Sequence, residues 1–284
     1  MSGPTGLRLF ALAAALAWLA AMPAAPARAA GPGAITGAVQ NGTVGAAIPA
    51  GLVVGLETYR GAIPVASQTV TAGPDGSFAF SDLDTGPEYG FVARTTHAGV
   101  LYGTDLIRLD ADGRAAATIT VHEITPDDPG VSLRTATRFL RRRSAEVISV
   151  LEVAELQVPG DRTFVPQARP GVPPPIRFGL PAEAFNLEPL SGFGSTDAVF
   201  GGPGFGVYAP LRPGLATLAF GFEVALTDGA GAFAWTIGKP VDRVRVLGDV
   251  DGLDVRVTGL DEIGLDQVGD AVVRRWEGQA LPAG

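Results

Sequence analysis

From Gly33 onward, apolar residues recur at every second position in short runs, and glycine, proline and Asn/Asp-rich breaks separate the runs. That pattern predicts strands and turns rather than helices. GAITGAVQ (33–40) is the first run, closed by the turn dipeptide Asn41-Gly42. GLVVGLETY (51–59), IPVASQTVT (63–71) and SFAF (77–80) follow, the last placing Phe78 and Phe80 on one face. YGFVARTTHAGVLYGTDLIRL (89–109) predicts a hairpin about His97-Ala98-Gly99, and RAAATITVHEI (114–124) sets Ile119 and Val121 on one side. Some seven short strands between residues 33 and 124 predict a β-sandwich.

TPDDPG (125–130) breaks the pattern, because proline donates no hydrogen bond and restricts its neighbour. It is the predicted domain boundary. VSLRTATRFL (131–140) and SAEVISVLEVAELQV (144–158) then predict a long hairpin with Arg141-Arg142-Arg143 at its tip. The second arm is rich in Ala, Glu and Leu, as a helix would be, but Val147, Ile148, Val150 and Val153 favour strand. After the proline-rich loop 165–175, LATLAFGFEV (215–224) puts Leu218, Phe220, Phe222 and Val224 on one face of a strand. Four more runs, AFAWTIG (232–238), RVRVLG (243–248), LDVRVTGL (253–260) and VVRRWEG (272–278), either complete the sheets of this second region, 131–284, or start a unit that stops short. The predicted class is all-β, with tandem immunoglobulin-like or transthyretin-like sandwiches behind an N-terminal signal helix.

Composition supports this class, since 39 Gly and 23 Pro in 284 residues do not suit a helical protein. The first thirty residues carry one early cation, Arg8, an apolar run from Leu9 to Met22, and the Ala-x-Ala end Ala27-Arg28-Ala29. They predict a secretory signal peptide over 1–29 and export to the periplasm, cell surface or medium. Removing it takes away Arg8 and Arg28 but no acid, shifting the net charge from −8 to −10. So acidic a surface argues against nucleic acid as a partner. An exported chain without cysteine must rely on its cores. The terminal GQALPAG has loop composition, so a longer natural chain, with a membrane tether beyond Gly284, is an open expectation.

Gly73-Pro74-Asp75-Gly76, the alternating Ser77-Phe78-Ala79-Phe80, then Leu83, Gly86 and Tyr89 form an ordered series. Over residues 33–122 this series, with ITGAVQNGT (35–43) and GLVVGLETY (51–59), resembles the carboxypeptidase regulatory-like domain, a transthyretin-like sandwich of the carbohydrate-binding-like fold. The resemblance implies an accessory, structural or binding role. Peptidases bearing such domains use a zinc site with an H-x-x-E motif and a distant histidine. Here AGVL follows His97 and EITP follows His122, so that motif is absent.

The other chemical candidates are weaker than their structural alternatives. Two histidines and no cysteine support a zinc site poorly. Gly192-Phe193-Gly194-Ser195-Thr196 lacks the last glycine of a nucleophile elbow. Asp249, Asp251 and Asp254 open an acidic run suited in ligand type to Ca²⁺, but Gly252 comes too early for an EF-hand loop, and solvated edge acids are the plainer account. Tyr102 and Trp276 are candidates for stacking on a sugar, with core burial the default for aromatics in strand patterns. The sequence therefore predicts a non-catalytic envelope or surface protein without cofactor, its partner an envelope protein or a glycan. The alternatives are a carbohydrate-binding module and, further off, a metal-dependent hydrolase.

Overall fold

The computed structural model describes residues 32–169 and 172–282, and the expected signal peptide lies outside them. Strands dominate, and a single 3₁₀ turn at Ser195–Asp197 is the only helical element among the described residues.

The first seven strands are β1 (Gly33–Asn41), β2 (Val53–Arg60), β3 (Ile63–Thr71), β4 (Ser77–Leu83), β5 (Tyr89–His97), β6 (Val100–Gly103) and β7 (Arg114–Val121). They form two sheets, β4-β1-β7 and β3-β2-β5-β6. Period-two burial explains their packing: Val54 and Leu56 on β2, Phe78 and Phe80 on β4, and Ile119 and Val121 on β7 all enter one core. The hairpin from β5 to β6 turns at Ala98 and Gly99, both at positive φ, as a two-residue connection of right-twisted strands requires. β1 runs antiparallel to β4 and parallel to β7.

A short strand β8 (Ile124–Thr125) precedes the proline-rich break. There Asp128 accepts the N–H groups of Gly130 and Val131 through Oδ1, while the Lys239 ammonium donates to Asp128 Oδ2 (3.2 Å) and to the Val131 carbonyl (2.8 Å). Burial alone would raise the Asp128 carboxyl, but these donors outweigh it and hold the group below its ordinary value.

Beyond the break lie β9 (Ser132–Arg142), β10 (Val147–Val158), β11 (Thr163–Phe164), β12 (Ile176–Gly179), β13 (Ala184–Ser191), β14 (Ala198–Phe200), β15 (Gly204–Val207), β16 (Gly214–Ala225), β17 (Val241–Asp249), β18 (Asp261–Val268) and β19 (Ala271–Leu281). β9 and β10 make the expected hairpin, and the arm with mixed propensity is a strand. Seven strands form one sheet in the order β13-β16-β10-β9-β17-β19-β18. β12, β15 and β14 form a small second sheet, and Phe178 and Phe205 from it meet Phe220 of β16 at ring-centre separations of 4.9 and 5.0 Å. Residues 241–281 therefore complete this unit, with β17 lying parallel to β9 and Trp276 entering the common core.

Two expected strands differ. AFAWTIG (232–238) and LDVRVTGL (253–260) form no regular strand; their apolar residues Phe233, Trp235, Ile237, Leu253, Val255, Val257 and Leu260 instead cover the large sheet's core. Apolar alternation reports burial, which an irregular covering segment satisfies as well as a strand does.

Candidate functional site

The side chains best equipped for chemistry converge where the two units meet. β8 pairs parallel to β11, with Thr163 N–H donating to the Glu123 carbonyl (2.8 Å) and Val165 N–H to the Thr125 carbonyl (2.9 Å). Around this short ladder, Thr43 Oγ1 donates to the Asp161 carbonyl (2.9 Å) and accepts the Glu123 N–H (2.9 Å). Val44 N–H donates to the Asp161 carboxylate (2.8 Å). Tyr102 is buried, its hydroxyl donating to the His122 carbonyl (3.0 Å) and sharing a hydrogen bond with Thr163 Oγ1 (2.8 Å). The Arg212 guanidinium covers the Tyr102 ring at 5.3 Å and donates to the Leu101 carbonyl (2.7 Å).

One histidine spans this joint, and the other bonds Glu123 from within the first unit. His122 Nδ1 lies 2.8 Å from the Asp161 carbonyl, which can only accept, so Nδ1 carries the proton. His97 Nε2 lies 3.1 Å from Glu123 Oε1, and by the same reasoning Nε2 carries a proton. Asn41 Nδ2 donates to the same Glu123 oxygen (3.0 Å). The Asn41 amide first, and the His97 ring next, hold the Glu123 carboxyl below its ordinary value.

A second polar unit is buried inside the larger sandwich. Strand register sets Trp276, Val246, Arg138, Glu152 and Phe220 in one row across the sheet. Arg138 Nε donates to Glu152 Oε2 at 2.7 Å, and both side chains are 2% exposed. Trp235, from the irregular segment after β16, donates to Glu152 Oε1 (3.3 Å) and lays its ring 4.3 Å from the guanidinium. Arg138 Nη2 donates to the Gly179 carbonyl (3.2 Å), whereas Nη1 has no acceptor among the described residues. Burial raises the Glu152 carboxyl and lowers the Arg138 guanidinium, each opposed by the charge of the other.

The residues singled out in the sequence do not come together. Asp249 is buried beside Arg141 (3.4 Å), its Oδ1 accepts the Asp251 N–H, and Asp254 is exposed 3.6 Å from Arg256. Among the described residues no group of three or more His, Asp or Glu side chains is placed to hold a metal ion. Tyr102 (1% exposed) and Trp276 (3%) are core residues, so neither offers a ring face to a sugar; the first is enclosed by the joint and the second by the large sandwich. At the hairpin tip, Arg141 pairs with Asp249, Arg143 with Glu223, and Arg142 donates to the carbonyls of Ser144, Ala145, Gly229 and Gly252. Sequence reasoning missed Thr43, Glu123, Asp161 and Thr163 because each acts through a partner far away in the chain; the polar ends of predicted strands were their only local signal.

Two open concavities accompany these features. One of about 450 Å³ runs over β10, β13 and β16 beside Arg143, Asn186 and Glu223. The other, about 770 Å³, follows β7 between Arg108, Arg114 and Arg212.

No family model matches the chain, and no curated protein matches it in sequence. Among solved structures, the full-length major pilin SpaD from Corynebacterium diphtheriae aligns at 9% identity and a TM-score of 0.26, covering 87% of this chain and 78% of the pilin. A variant of BcpA, the major pilin subunit of Bacillus cereus, aligns at 12% identity and a TM-score of 0.23, covering 89% and 86%. Likeness this loose carries no argument about function.

Proposed function

We propose that this chain is an exported, non-catalytic protein of the cell envelope or surface, with a structural, adhesion or assembly role. The observation that carries the reading is the joint. Two β units separated by a proline-rich break would by default move relative to one another. Here the shared β8–β11 ladder, the Tyr102–Thr163 pair and the Asp161 contacts, one of them from His122, tie the units together. Such an arrangement suits a molecule that holds a fixed geometry between two attachment points. The N-terminal signal pattern supports export, and the partner is an envelope protein or a glycan. For the first sandwich, the carboxypeptidase regulatory-like reading is supported by its turn signature and by its two-sheet arrangement of seven strands.

The test has two arms. Tyr102→Phe combined with Thr43→Val removes two buried donors, at about 1–3 kcal/mol for each group left unpaired. Hydrogen exchange at the Thr163 and Val165 amides should then quicken by about tenfold or more while both cores keep their protection. Unchanged protection at those amides would mean that the joint is not held by these contacts. Turnover of a peptide, ester or glycan substrate by the purified protein, abolished by one point substitution, would overturn the non-catalytic reading.

A further inference from the structure

The sheet β4-β1-β7 ends on β7, and the side of that strand turned away from β1 is open along a stretch with two defined ends. In a parallel ladder successive residues turn their N–H and C=O groups alternately toward the neighbour and away from it. Gly113 and Val121 face β1, their carbonyls accepting the N–H groups of Ala34 and Gly42 at 2.8 Å each. Arg114, Ala116, Thr118, Thr120 and His122 therefore face outward. At one end Asp110 Oδ1 accepts the Arg114 N–H (2.8 Å) and the Asp110 N–H donates to the Arg114 carbonyl (2.8 Å). At the other end the Tyr102 hydroxyl caps the His122 carbonyl (3.0 Å). Between these caps, Ala116, Thr118 and Thr120 each keep an N–H and a C=O without a hydrogen bond among the described residues.

This window opens into the concavity of about 770 Å³ beside β7. Its strand side carries small exposed side chains, Ala116 and Thr118, and Leu106 adds an apolar side chain at 52% exposure. Arg108, Arg114 and Arg212 line it, and none of the three pairs with a carboxylate among the described residues. Asp105 and Asp110 line it too, but Asp110 Oδ1 already accepts the Asp112 and Arg114 amides. Positive charge is thus in local excess on a chain whose net charge is −8.

We infer that this window takes an extended acidic peptide segment of a partner protein, which joins the sheet as a fourth strand on β7. Main-chain hydrogen bonds to Ala116, Thr118 and Thr120 supply the pairing, and Asp or Glu side chains of the segment meet the arginines. The window from Ala116 to Thr120 spans about 13 Å, enough for about five residues of strand. The two halves of the site call for one occupant. A bare polyanion would use the arginines and cover the outward N–H and C=O groups unpaired, whereas a neutral strand would desolvate the guanidinium groups without a counter-charge. The inference rests on the assembly reading above and gives its partner a chemistry. Peptide binding is measured apart from the exchange protection and turnover that test that reading, so either can fail alone.

Fluorescence anisotropy of the purified protein with a labelled eight-residue peptide of alternating Glu and Thr tests it. Saturable binding that weakens with added salt is expected, and the same peptide with Lys in place of Glu should bind at least about tenfold more weakly. Only one of the two residue sets turns its N–H toward β7, so N-methylation of that set should weaken binding by about tenfold and N-methylation of the other should not. Thr118→Pro deletes one outward N–H and leaves the bonds to β1 in place; it should raise Kd by about tenfold at an unchanged unfolding midpoint. The N-methyl comparison uses the wild type and so stands if Thr118→Pro fails to fold. Arg114→Gln should weaken binding and flatten its salt dependence, while Arg243→Gln, on the exposed face of β17, should leave it as in the wild type. Absence of saturable binding, equal binding of the Lys peptide, or binding indifferent to the placement of the N-methyl groups would each overturn the inference.

Discussion

Gly76 sits at φ 80°, and a Cβ placed on it would lie 2.2 Å from the Val39 carbonyl oxygen. Asp75 beside it accepts both the N–H and the hydroxyl of Ser77, and these two bonds hold its carboxyl below the ordinary range. Gly76→Ala must therefore both strain the backbone and push β1 away, and is expected to cost about 1–3 kcal/mol in chemical denaturation. The Pro-Asp-Gly order shows this turn in the sequence, because its chemistry is local. Gly42 is different. The sequence marks Asn41-Gly42 as a turn, and Asn41 Oδ1 does accept the Thr43 N–H, but a Cβ on Gly42 would fall 2.3 Å from the His122 ring. Space for a residue eighty positions away leaves no local sign. Tyr102 is a similar case, since its burial depends on Thr163 and Arg212, which arrive from the other unit.

Among the elements, β10 carries a polar break in its own buried face. Ile148, Val150, Ala154, Leu156 and Val158 all face the core, but Glu152 interrupts them at the centre. The interruption is resolved by Arg138 at the paired position on β9, a relation that no single strand reveals. Removing one partner leaves a buried charge uncompensated, so Arg138→Met is expected to destabilise by about 3–5 kcal/mol. Arg138→Met with Glu152→Leu should recover most of that loss, and urea denaturation of both variants would check the difference. Strand and turn chemistry made β1 to β7, β9, β10 and β16 legible in the sequence. β18 was hidden inside an acidic run because an edge strand exposed on both faces has no hydrophobic alternation to show.

At the scale of the whole molecule, the joint and the parallel pairing of β17 with β9 were not legible. Both bring together residues more than thirty positions apart, and periodicity carries no information about such distances. The joint also has a pH dependence of definite sign. Glu123 titrates below its ordinary value in the folded state, so its contribution is complete above the unfolded glutamate pKa of about 4.3 and fades as pH falls through the lower folded value. Exchange at the Thr163 amide is therefore expected to accelerate on acidification, beyond the intrinsic pH trend, while core amides of either unit hold. Glu123→Gln should abolish that acid-specific response. Lys239, the only lysine in the chain, has its ammonium on Asp128 and the Val131 carbonyl, at the break between the two units. The one side-chain amine thus stands at the break itself, so an acylating reagent that reaches it both tags that point and strips the charge that pins the connecting segment.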